Sequence, residues 1–179
     1  MADSSQRDFL VDQLERAHAG DPWHGSSRAM LVADVTADEA RRRPAPDVHS
    51  IWELVLHMTA WTREVTRRLQ GRTASEPEMG DWPALPEMPD EPAWRAALAA
   101  LDQAHVAMRD VVRALDASRL AARVADERNP ALGTGVTFAQ TINGLVQHDA
   151  YHSGQIAVVK KLLRGGTGPR YEAKMADVR

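Results

Sequence analysis

Cysteine is absent from the 179 residues. Its absence excludes disulfides, thiolate metal ligands and a cysteine nucleophile, which leaves histidine and the carboxylates as the strong ligands. Any thiol chemistry would have to use a thiol from outside. A large excess of charge of one sign is missing too: 22 Lys and Arg stand against 25 Asp and Glu, a formal net charge of −3. Local clusters such as Arg41 to Arg43 do not make the basic footprint that tracks nucleic-acid phosphates, so nucleic-acid binding is disfavoured. No apolar run approaches the ~18 residues of a membrane helix. The amino terminus, MADSSQRDFLVDQLERAHAG, is polar and acidic where a secretory signal is basic and then apolar. The expectation is a cytoplasmic protein without membrane contact.

Sustained strand-like alternation is lacking as well, and helical periodicity is what the chain contains instead. With 44% hydrophobic and 26% charged residues, the composition suits one globular domain, expected over 1–165 with a tail over 166–179. The first helical segment, about Gln6 to Ala19, carries Leu10, Val11 and Leu14 on one face and is broken around PWHG before a second piece through Met30 and Val32. Thr36 and Glu39 form a capping-box signature for a short connector that Pro44 must end.

A second long helix opens at Ser50 with Glu53 reaching back, and runs to Gly71 on the stripe Ile51, Leu54, Val55, Met58, Val65 and Leu69. Five prolines in 71–92 then disfavour helix and predict a long surface crossover. The third helix spans roughly Ala93 to Leu115. The fourth begins at the Thr137 and Gln140 box and lasts to about Leu163, on Phe138, Ile142, Leu145, Ile156 and Val159. Together these predict an all-α four-helix bundle with a long crossover between helices two and three, an architecture that builds metal sites from side chains on facing helices.

The fourth helix contains QHDAYHSG, with His148 and His152 one turn apart on the same face. At about 100° per residue, His152 and Asp149 fall inside the apolar stripe and His148 at its edge. Such a pair is weak alone, since seven histidines in 179 residues produce one in roughly a quarter of chains. A third ligand is needed. His57 lies about 100° from the centre of the second helix's stripe, bordering the core, where the plain reading is a hydrogen-bonded boundary histidine.

PWHGSS, HSIWELVLHMTAW and GLVQHDAYHSGQIAVVKKLL resemble the DinB/YfiT-like superfamily of four-helix proteins, across nearly all of 1–165. The resemblance implies a divalent metal, zinc or nickel, held by His57 together with the His148 and His152 pair. It also implies a homodimer and, as in some members, transfer of a low-molecular-weight thiol to an electrophile. Three neutral imidazoles would leave a coordination position open, as expected of a catalytic zinc site. Around them, Asp149 is a candidate to receive a ring proton from a ligating histidine. His24, at the break of helix one, is a candidate acid or base, and Trp61 a candidate wall of the pocket. The other tryptophans are expected to anchor core and loops, His49 to serve local structure, and His18 and His105 carry no assigned role.

Two other readings compete with the transferase. One is a non-enzymatic dimeric bundle whose metal is adventitious or structural. The other is a metal-dependent hydrolase, because HDAYH has the spacing of H-E-x-x-H with Asp in the place of the general base. That carboxylate is one methylene short, and the only Glu beyond His152 is Glu172 in the tail.

Overall fold

Each long helix starts where the sequence supplies a side-chain cap. The computed structural model describes residues 2–124 and 129–165, so the tail and Glu172 lie outside the described residues. Among the described residues there are six α-helices and no strand. They are α1 (Ala2–His18), α2 (Arg28–Val32), α3 (Ala37–Arg41), α4 (Ile51–Leu69), α5 (Glu91–Ala114) and α6 (Phe138–Leu163). The three capping boxes read from the sequence are present at Thr36, Ser50 and Thr137, each hydroxyl accepting from a backbone N–H three residues on. Asp90 caps α5, with Pro92 in the first turn, where its missing N–H leaves nothing unpaired. The break in helix one is complete: residues 19–27 are non-helical and α2 is a separate short element.

The four long helices close into a ring in which α1 packs on α5 and α6, and α4 packs on the same two, setting α1 and α4 at opposite corners. The connection over 70–90 lacks regular structure and is tied down by a buried ion pair. Arg68 Nε bonds Glu64 Oε1 at 3.1 Å, Arg68 Nη2 donates to the Ser75 carbonyl and the Ser75 N–H donates to Glu64. Polar groups of a long loop are thereby satisfied from the helix beneath it.

The core comes in two apolar clusters. One joins Ile51, Trp52, Val55 and Met58 of α4 with Trp94 and Leu101 of α5 and Ile156 and Val159 of α6. The other joins Leu10 and Leu14 of α1 with Val65, Leu69, Met108, Val112, Phe138, Ile142 and Leu145. Between them in sequence along the helices stand polar side chains: His18 on α1, Thr59 and Thr62 on α4, His105 on α5, and Asp149, His152 and Ser153 on α6. The threonine hydroxyls satisfy themselves by donating one turn back, to the carbonyls of Val55 and Met58.

Trp94 is fully buried, stands 5.2 Å from the Trp52 ring and donates its indole N–H to the Val35 carbonyl at 2.8 Å. The sequence expectation for the tryptophans fails at Trp23, which is fully exposed, because its ring projects from the turn over 19–27 with nothing packed against it. Replacing Trp94 with Ala removes a large buried ring and orphans a carbonyl, and should destabilise the fold by about 3–5 kcal/mol in urea unfolding. The two apolar clusters also predict that chelator-treated protein keeps its cooperative helical melting transition by circular dichroism.

Candidate metal centre

His57 faces inward in the middle of α4, and His148 and His152 stack one turn apart on α6. Their ring nitrogens lie within 4.8 Å of one another, and the three form the histidine and carboxylate grouping, among the described residues, that could hold a metal ion. The group contains three imidazoles and no carboxylate, with His148 Nε2 standing 3.0 Å from His57 Nε2 and 3.1 Å from His152 Nε2. Metal–nitrogen bonds of about 2.0–2.1 Å at tetrahedral angles would separate ligand nitrogens by roughly 3.3 Å, close to these spacings.

Hydrogen bonds at the far side of two rings decide what the near side offers. His57 Nδ1–H donates to the Asp81 carbonyl at 2.6 Å, and His152 Nδ1–H to the Gln155 side-chain carbonyl at 2.7 Å. Both acceptors fix the proton on Nδ1, so both Nε2 atoms turn bare lone pairs toward His148. A single proton on His148 Nε2 can satisfy one of those lone pairs but not both. A cation among the three nitrogens would satisfy all of them, and the donor set therefore fits a divalent metal.

Electrostatics point the same way. Burial, as the largest cause, holds all three imidazoles below the usual histidine range. His148 is pulled down to about 3, with the neighbouring histidines adding to the effect. The rings are therefore neutral at neutral pH, the form that ligates.

Asp149, Trp61 and His24 take different places relative to the triad. Asp149 is buried and gives its Oδ2 to Arg28 Nη1 at 2.7 Å, while its Oδ1 is 4.0 Å from His148 Nδ1. Trp61 sits edge-on to His57, with ring centroids 6.4 Å apart, and donates its indole N–H to Asp81 Oδ1 at 2.6 Å. His24 is exposed in the turn between α1 and α2 and stands outside the grouped ligands.

Asp81 and Gln155 escaped the sequence reading, and Trp82, expected to anchor core or loop, anchors its loop against the site. Trp82 lies flat between two imidazoles, 3.6 Å from His49 and 4.0 Å from His57. His49, read as local structure, thus forms the outer layer of that stack. Asp81 supplies the carbonyl for His57, and Gln155 the amide oxygen for His152. Asp81 and Trp82 belong to the proline-rich connection, where no periodicity marks a side chain as facing the bundle. Gln155 is three residues past His152 on the same helix face, a spacing that could have flagged it.

Buried neutral histidines make stability pH-dependent with a definite sign. His18 is held near 4 and His105 and His148 near 3, mainly by burial. The unfolded chain, whose histidines titrate near 6.5, binds protons first, so stability is complete above that value and falls as pH drops toward the folded values. Urea midpoints of metal-free protein should decrease steadily from pH 7.5 to pH 5, and a flat profile would contradict the assignment of neutral buried rings.

The model of the DinB superfamily matches residues 27–156, which spans the region from α2 into α6 and includes all three histidines. No curated protein and no solved structure matches the chain.

Proposed function

The chain belongs to the DinB superfamily, and from that premise we propose that it binds one divalent metal ion, zinc or nickel, on Nε2 of His57, His148 and His152 and uses it to transfer a low-molecular-weight thiol to an electrophile. The observation that carries this reading is the set of three Nε2 atoms 3.0 and 3.1 Å apart, two of them fixed as bare lone pairs. A divalent ion held only by neutral imidazoles keeps its full charge, and so would lower the pKa of a bound thiol and present the thiolate at neutral pH.

The chain's own residues do the rest. Asp81 and Gln155 hold the ring protons of His57 and His152 on the side away from the ligand face. Trp82 and Trp61 shield His57 from solvent on the side of the connecting segment. Having no cysteine, the protein offers no thiolate of its own to compete for the open position. Tyr151, Val158 and Leu162 are exposed along one face of α6, which supports the homodimer as part of the same reading.

Single alanine changes at His57, His148 or His152 should each lower zinc affinity by at least about tenfold, because each removes one of three ligands. Titration of the cobalt-substituted protein with glutathione, coenzyme A, bacillithiol or mycothiol should produce a sulfur-to-cobalt charge-transfer band. Thiol turnover with an electrophile panel should track metal occupancy. A cobalt spectrum indifferent to every thiol, with no turnover, would leave a metal-binding protein without the transferase role.

A further inference from the structure

His148 differs from its two partner ligands in having no acceptor behind it. Its Nδ1 is buried and unpaired, whereas the Nδ1 atoms of His57 and His152 are bonded at 2.6 and 2.7 Å. One other unpaired buried atom lies beside it, Asp149 Oδ1, at 4.0 Å. These two orphans complement each other in only one state of the ring. A carboxylate oxygen solely accepts, so the pair is matched when His148 carries its proton on Nδ1 and mismatched when the proton is on Nε2. The Nδ1–H form is the one that frees Nε2 as a ligand.

The Asp149 carboxylate does not turn freely. Its other oxygen accepts from Arg28 Nη1 at 2.7 Å, with the Arg28 and Asp149 side chains 1% and 5% exposed. Arg28 is itself held from the opposite side, donating through Nη2 to His18 Nδ1 at 2.7 Å, and the His18 ring stacks on His105 at 3.9 Å. Four side chains from α1, α2, α5 and α6 thus form one connected chain, half-buried at His18 and buried beyond it, that ends at the proposed ligand lacking an acceptor of its own.

We infer that Asp149, anchored by Arg28, is the positioning residue for His148, its Oδ1 receiving the Nδ1–H that His148 carries when Nε2 is a ligand. The net charge of the ring is unchanged: one ring nitrogen loses a proton and the other gains one. This rests on the metal reading above. It gives a role to Arg28, which the sequence left unremarked, and to His18, which lacked any motif context.

The test uses two double variants of the full-length protein, each removing both charges so that neither leaves a lone buried ion. Arg28→Met with Asp149→Asn keeps an acceptor oxygen beside His148, and Arg28→Met with Asp149→Leu removes it. Zinc affinity by chelator competition should stay within a few-fold of wild type in the first and fall about 10–100-fold in the second, the loss typical of removing a ligand's hydrogen-bond partner. Equal affinities in the two variants would overturn the inference.

A second measurement needs no variant. In the imidazole nitrogen–proton spectrum of zinc-loaded wild type, His148 should show a downfield Nδ1–H protected from exchange with water. Coordination through Nδ1, or an Nδ1–H exchanging as fast as that of an exposed ring, would also overturn it. Failure of the metal reading has its own signature, wild type and His152→Ala binding zinc equally weakly, and would remove the inference with it.

Discussion

The buried ion pair between Arg28 and Asp149 is the constraint around which the rest of the bundle is arranged. Removing two charges from water costs several kcal/mol per ion, which is recovered only where geometry is good and the remaining polar atoms are satisfied nearby. That requirement is met in part: Arg28 Nη2 reaches His18 Nδ1 at 2.7 Å, while Arg28 Nε and Asp149 Oδ1 have no hydrogen-bond partner among the described residues. Around it, His18, Thr59, Thr62, His105 and His152 separate the apolar side chains into two clusters. The pair also explains how α2, five residues long and too short to persist alone, holds its place against α6.

Elements specified by local signals were legible from the sequence. Ser50 with Glu53 and Thr137 with Gln140 start α4 and α6 as read, since a capping box is complete within four residues. The stripes on α4 and α6 turned inward because periodicity of 3.6 leaves one face apolar whatever the helix packs against. His148 and His152 were legible as a pair for the same reason. What the residues could not reveal is pairing at a distance. His57 entered as the third ligand through family resemblance, because 91 residues separate it from His148. The partner of Asp149 stands 121 residues away on a short helix whose arginine looked like any surface cation.

The connecting segment over 70–90 was legible only as irregular. Prolines at 77, 83, 86 and 89 forbid helix and strand ladders but say nothing about which way the side chains between them point. Asp81 and Trp82 point at the site because of a two-sided fit: the Trp82 ring fills the gap between His49 and His57, and that placement brings the Asp81 carbonyl onto His57 Nδ1. Stacking and hydrogen bonding specify each other there, and neither has a sequence signature.

The division of labour around the three imidazoles follows from where rigidity is available. His152 is oriented by Gln155, one turn along its own helix, and this is the most local and least deformable of the supports. His57 is oriented by the backbone of the connection, so its ring depends on that segment staying packed through Trp82. His148 borders the ion pair, whose two side chains are buried. Because Arg28 offsets the charge of Asp149, the polar layer adds no net charge behind the imidazoles, and a cation bound by them would remain strongly electrophilic toward an anionic ligand. A lone carboxylate in the same place would attract the cation more strongly but blunt that electrophilicity. The buried arginine would therefore bear on the reactivity of a cation bound there, besides the packing of the helix that carries it.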